Sequence, residues 1–385
     1  MVPIIAPFLA LALAQQPGTV WARGPALGGS SFPIAVWLQN PANASRYRAA
    51  GFNLYVGLWN GPTEAQLEAL KRAGMPVICD QNELALKHLD DPTIVGWLQQ
   101  DEPDNAQAVT DPATGKQTWG PCVPPQRVVA TFERMRKADP TRPVLLNLGQ
   151  GVINDTWVGR GSGAKLSDYE TYVQGGDIVS FDVYPIAGLD KPKPEDYMWY
   201  VGAGVNRLRT WTGGKKIIWN CLECTRIGNG QRKPTPDQVR SQAWMAIIHG
   251  SRGLIYFVHE FKPRFNEAAL LDDPEMLKGV TALNAEITQL APVINAPDEK
   301  VGVAVLEPTG LDRQVVAAVA KRRDRAGYIF AVSMVNATAR ASFALPRARP
   351  GAVAEVIGEN RTIPIADGKF DDSFGPYQVH LYRIR

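Results

Sequence analysis

Eight short runs rich in β-forming residues, separated by segments with helical signals, set the strongest limit on what this chain can fold into. They are FPIAVWLQ (32–39), FNLYVGLW (52–59), MPVICD (75–80), IVGWLQQ (94–100), PVLLNLG (143–149), DIVSFDVY (177–184), KIIWNCLE (216–223) and GLIYFVHE (253–260). Between the second and third, TEAQLEALKRAG opens with Thr63 at an N-cap position and Gln66 three residues on, a capping box, and stops at Gly74. Val128, Phe132 and Met135 recur at helical spacing before Pro140, and Met276, Val280, Leu283, Ile287 and Leu290 form a longer apolar stripe. Strands alternating with helices across such short crossovers must run parallel. Eight units predict a (β/α)8 barrel. A doubly wound nucleotide-binding sheet is disfavoured because no glycine fingerprint or P-loop follows the first run.

After Pro297 the pattern changes. KVGVAVLEP, QVVAAVAKRR, GYIFAVSMVN, ASFALP, VAEVIGE, RTIPIADGKF and YQVHLYRI are short strands separated by turn residues. Residues 23–297 are therefore assigned to the barrel and 298–385 to a small all-β sandwich. No Ser-, Pro- or Gly-rich linker joins them, so the module should dock rigidly.

The bulk composition narrows the function. The 385 residues are 45% apolar and 21% charged, as in ordinary globular proteins. With 41 basic and 38 acidic residues the net charge is only +3, and no basic run forms a nucleic-acid track. Ten tryptophans supply indole faces suited to flat apolar surfaces such as sugar rings. The opening MVPIIAPFLALALAQQ has the length of a signal peptide, with a small-x-small cleavage pattern ending at Ala14, although no basic residue precedes Arg23. Residues 1–22 are set aside as this segment; a secreted or periplasmic protein without a membrane span is expected. Cys79, Cys122, Cys221 and Cys224 fit one or two disulfides, with Cys79 or Cys122 bridged near the barrel rim. A single Cys-x-x-Cys pair and four scattered histidines are poor material for a metal centre, and no cofactor is expected.

In a barrel the chemistry sits at the carboxyl ends of the strands. Here those ends carry Gln39, Trp59, Asp80, Asp101 with Glu102, Asn147, Asp182 with Tyr184, Glu223, and His259 with Glu260: a polar, acidic ring. Glycosidic cleavage needs two carboxyl groups facing each other across the bond, one giving a proton and the other attacking or activating water. The fourth and seventh runs can supply such a pair.

At this point the chain resembles the retaining glycoside hydrolases of clan A. Glu102 in DEP stands where that clan has its acid/base glutamate after strand four, and Glu223 in IIWNCLE stands at the end of strand seven, the place of its nucleophile. FDVYP puts Tyr184 on strand six, where these enzymes often hold a tyrosine near the nucleophile, and the C-terminal β module is similar to their accessory domains. The resemblance implies hydrolysis of a β-linked oligo- or polysaccharide with Glu102 and Glu223 roughly 5 Å apart. Substrate contacts are expected from Asp101, Gln39, Trp59, Asp80, Asn147, Asp182, Tyr184 and Glu260. Two departures stand out: Asp101 replaces the usual Asn, adding a charge that would favour a protonated Glu102, and Glu223 lies between two cysteines. The insert 104–124 is expected to wall the cleft. The competing possibility is a carbohydrate-binding pseudoenzyme, which would keep the aromatic rim without needing paired carboxylates.

Overall fold

The computed structural model describes residues 21–385 apart from Ser162, Asn229 and Arg347, so the signal-like segment lies outside the described residues except for Trp21 and Ala22. Each of the eight runs contains one barrel strand. They are β1 (Ile34–Trp37), β2 (Leu54–Val56), β3 (Val77–Asp80), β4 (Ile94–Leu98), β5 (Val144–Leu148), β6 (Ile178–Phe181), β7 (Ile217–Ile218 and Asn220–Glu223, interrupted at Trp219) and β8 (Leu254–Phe257). All pair in parallel, each with the next, from β1 to β6. Ile217–Ile218 pairs with β6, Asn220–Glu223 pairs with β8, and β8 returns to β1. A bridge from Asp182 to Cys221 completes the seam between β6 and the second half of β7.

The period of two along each strand separates two apolar layers. Ala35, Trp37, Leu54, Val56, Ile78, Leu98, Leu145, Ile178, Trp219, Cys221 and Ile255 fill the barrel interior. Their neighbours, among them Val36, Tyr55, Cys79, Trp97, Leu146, Val179 and Tyr256, pack outward against the helices. The expected capping box forms in helix Glu64–Ala73, with Gln66 N–H donating to Thr63 Oγ1 (3.3 Å) and Thr63 N–H to Gln66 Oε1 (2.9 Å). The stripe from Met276 to Leu290 is the buried face of helix Pro274–Ile294.

At the amino-terminal end of the strands a buried ion pair ties the barrel to its loops. Arg142 Nη1 lies 3.0 Å from Asp139 Oδ2, which also accepts from Trp97 Nε1 at 3.0 Å. Arg142 further donates to the carbonyls of Ile94 and Leu89, both at 2.7 Å.

From Asp298 onward the strands are antiparallel, in a six-stranded and a three-stranded sheet whose facing residues, including Phe343, Phe370, Phe374 and Tyr382, form a second core. Ala317, Phe330, Val332 and Leu381 join the barrel's outer core. Phe330 meets Trp244 of helix Pro236–Ile248 with ring centroids 4.9 Å apart, and Ser241 Oγ donates to the Tyr377 carbonyl at 2.7 Å. The module is thus packed onto the helices as an extension of the same core.

The disulfide expectation is corrected: all four cysteines are free thiols. The reason is their layering. Cys79 and Cys224 face the helices, Cys221 faces the barrel interior, and Cys122 lies beyond the fourth strand among less buried residues.

Candidate active site

The acidic segment after β4 divides its carboxylates between two tasks. Asp104 is buried and accepts from Gly149 N–H (3.0 Å) and Tyr169 O–H (2.7 Å), which fastens the loop after β4 to that after β5. Burial, opposed by these bonds, pushes its pKa up to about 6. A Cβ at Gly149 would meet Asn105 Nδ2 at 2.2 Å, so any side chain there would displace Asn105. Glu102 adopts the left-handed region (φ 41°) that residues with a side chain seldom occupy, and its N–H donates to the Asn147 carbonyl at 3.1 Å. The turn leaves Asp101 and Glu102 at the barrel mouth.

Three further strands build the rest of the cluster. Asn147 on β5 donates from Nδ2 to Asp101 Oδ1 at 2.9 Å, while its Oδ1 accepts from Ser180 Oγ on β6 (2.7 Å) and Cys221 Sγ on β7 (3.4 Å). These bonds fix the amide so that its NH2 faces the acid. The amide that Asp101 cannot supply itself comes from Asn147. Asp182, immediately after β6, stands beside Glu102, close enough for the two carboxyls to interact. Glu102 Oε1 and Asp182 Oδ1 are both buried without an N–H or hydroxyl donor. The other oxygen of Glu102, Oε2, accepts from Arg160 Nη2 at 2.6 Å.

Crowded carboxylates resist ionising together. Loss of hydration inside the concave mouth, followed by the Glu102 charge, pushes Asp101 up to about 7. The same two causes hold Asp182 well above the usual carboxylate range. Burial and the Asp182 charge likewise raise the Cys221 thiol and the Tyr184 phenol.

Glu223 is not part of this cluster, which corrects its placement opposite Glu102. Its side chain is 0% exposed and accepts from Ile186 N–H (2.8 Å), Ala187 N–H (2.7 Å) and Gln242 Nε2 (2.8 Å). Burial, opposed by these bonds, raises its pKa to about 7. It anchors the turn after β6 to helix Pro236–Ile248 and does not present a carboxylate to the mouth. Gln39 is similarly committed, accepting from Tyr47 O–H at 2.6 Å and donating to the Glu267 carbonyl.

The remaining ring residues take other places. Asp80 is exposed at the end of β3. Tyr184 lies against Phe257, with centroids 5.3 Å apart. Glu260 pairs with Arg226 at 3.5 Å. Trp59 is 40% exposed, stacks on His259 (centroids 5.7 Å apart, 24° between planes) and donates from Nε1 to Glu267 Oε2 at 2.7 Å. Phe261 and Phe265, after β8, are exposed and extend this aromatic surface. The insert after β4 forms an exposed hairpin, Gln107–Thr110 with Gln117–Gly120, carrying the exposed Trp119.

Asp101, Glu102, Asn147 and Asp182 are thus brought together, with Tyr184 beside them; Gln39 and Glu223 serve the scaffold. Arg160, Ser180 and Cys221 complete the cluster and were not expected. Cys221 and Ser180 could have been found by following the alternation inward from the strand ends, whereas Arg160 sits in irregular backbone that has no period.

No protein-family model and no curated protein matches the sequence. Solved structures do. AmyP in complex with maltose superposes with a TM-score of 0.52 at 9% identity, covering 92% of this chain and 96% of that one. A family 27 β-L-arabinopyranosidase from Geobacillus stearothermophilus, in complex with arabinose, gives 0.50 at 10% identity, covering 94% and 97%. The chain shares the fold of these two structures, over its C-terminal sheets as well as its barrel, and at such identity the likeness concerns architecture alone.

Proposed function

We propose that the protein is an exported glycoside hydrolase whose carboxyl pair is Glu102 and Asp182. The observation that carries this reading is the juxtaposition of two carboxyl groups from different strands at the mouth of the barrel, one of them held by Arg160 at 2.6 Å. Two carboxyls crowded into one site hold one proton and one negative charge, the two forms that glycosidic cleavage needs. The exposed aromatic surface of Trp59, Phe261 and Phe265 offers ring faces to a sugar. The carbohydrates bound by AmyP and the arabinopyranosidase agree with that use.

A retaining pair works at roughly 5–5.5 Å and an inverting pair at roughly 6.5–9.5 Å, and neighbouring carboxyls stand nearer the first arrangement. Retention is therefore the proposed outcome, with a β-linked sugar as the proposed substrate. The apolar N-terminal segment supports export.

A screen of chromogenic aryl glycosides tests the proposal. Turnover should appear on at least one sugar and fall about 10²–10⁴-fold in both Glu102→Gln and Asp182→Asn. Wild-type rates in either variant would overturn the assignment. A second reading, a carbohydrate-binding pseudoenzyme, is favoured by one observation: one Glu102 oxygen is already held by Arg160 in an ion pair. Sugar binding without turnover across the screen would establish it.

A further inference from the structure

The geometry points to Arg160 as the residue that decides which member of the carboxyl pair carries the proton: it keeps Glu102 as the carboxylate and leaves the proton on Asp182. This rests on the reading of Glu102 and Asp182 as the working pair. It also reverses the role expected from sequence, in which Glu102 was the acid.

The contact is unequal between the two acids. Arg160 Nη2 lies 2.6 Å from Glu102 Oε2, with side-chain exposures of 38% and 15%. The backbone at both ends is held in the left-handed region, at φ 41° for Glu102 and φ 47° for Arg160, next to Gly159 at φ 64°. Such conformations persist in residues with side chains only where the surroundings over-determine them. Arg160 belongs to the segment Asp155–Gly161, whose backbone leaves helical geometry from Trp157 to Arg160 and so brings the guanidinium to the mouth.

The groups facing the pair can be named by element. After β4 stand Asp101 and Asp104, on β5 the neutral Asn147, after β6 Tyr184, and on β7 the Cys221 thiol. Arg160 is the cation among them, and it bonds to Glu102. Asp182 has Tyr184 and Cys221 as neighbours, and Arg160 acts on it more weakly than the Glu102 charge does. A proton shared between unequal carboxyls settles on the one without the cation. Glu102 Oε1 and Asp182 Oδ1 are both buried and have no N–H or hydroxyl donor, so a proton held on Asp182 relieves the crowding of the two carboxyls.

The chemistry balances. Asp182 gives its proton to the glycosidic oxygen, which leaves with the bonding electron pair, while a Glu102 oxygen forms an ester to the anomeric carbon. Water then attacks that carbon, loses its proton to Asp182, and the ester bond breaks to restore the Glu102 carboxylate.

Infrared difference spectroscopy of the intact protein at pH 7 locates the proton without requiring turnover. The protonated-carboxyl band that disappears in Asp182→Asn should shift when aspartate is ¹³C-labelled and stay in place when glutamate is labelled. In Arg160→Gln the first titration step of the pair should rise by about one pH unit or more, with Arg160→Lys returning it toward wild type. A band that follows the glutamate label, or a titration unmoved in Arg160→Gln, overturns the inference. If the proton is on Asp182 yet no glycoside is turned over, the hydrolase reading fails and this inference stands. If glycosides are hydrolysed with the proton on Glu102, the inference fails and the hydrolase reading stands.

Discussion

Glu223 shows how a residue at a strand end can be turned to a different use. The alternation through Trp219 and Cys221 aims position 223 toward the barrel interior. Three donors instead draw its carboxylate to the Ile186–Ala187 turn and Gln242. Replacing it with alanine leaves two buried backbone N–H groups unpaired, at a cost of about 2–4 kcal/mol. Chemical denaturation of Glu223→Ala should show that loss. Unchanged stability together with abolished turnover would return Glu223 to the role of nucleophile. Asp101, Glu102, Asn147 and Asp182 were legible because each lies within a buried strand or within four residues of its end. Arg160 was not, because it reaches the mouth through a kinked segment that no periodicity marks.

At the level of elements, the eight β-rich runs and the Thr63 capping box were legible because hydrophobic pattern and turn chemistry agree there. The hairpin at 107–120 was not, since both of its strands are polar and solvent-exposed and lack the apolar alternation that announces a strand. The ends of β4 and β5 depend on a contact the strand pattern also leaves out: Arg142, fully buried, with Asp139 and Trp97. Arg142→Met should destabilise the protein by about 3–5 kcal/mol in urea unfolding, because Asp139 would be left as an uncompensated buried charge. A change below about 1 kcal/mol would show that the pair carries no such role.

Across the whole molecule, the shared core of barrel helices and C-terminal sheet makes one packed body, as the missing linker suggested. Its pH response follows from the mouth and the Glu223 anchor. Burial raises Asp104 to about 6 and Asp101 and Glu223 to about 7, from ordinary values of 3.8, 3.8 and 4.5. Acids whose folded pKa is raised bind more protons folded than unfolded, so their stabilisation is complete below the unfolded values and is lost as pH rises through the folded ones. His249 and His259, lowered by burial from 6.5, act in the opposite sense below that pH. The acids therefore dominate from about pH 6.5 to 8, and the thermal midpoint should be higher at pH 6.5 than at pH 8. A midpoint that rises toward pH 8 would show that these carboxyls are not held as described. The most direct measurement is the stereochemistry of azide rescue on an activated aryl glycoside. Glu102→Ala should lose hydrolysis by about 10²–10⁴-fold and regain turnover with azide, giving a glycosyl azide of inverted anomeric configuration, because azide takes the place of the missing Glu102 carboxylate. A retained configuration, or wild-type hydrolysis by Glu102→Ala without azide, would contradict a nucleophilic Glu102 at this mouth.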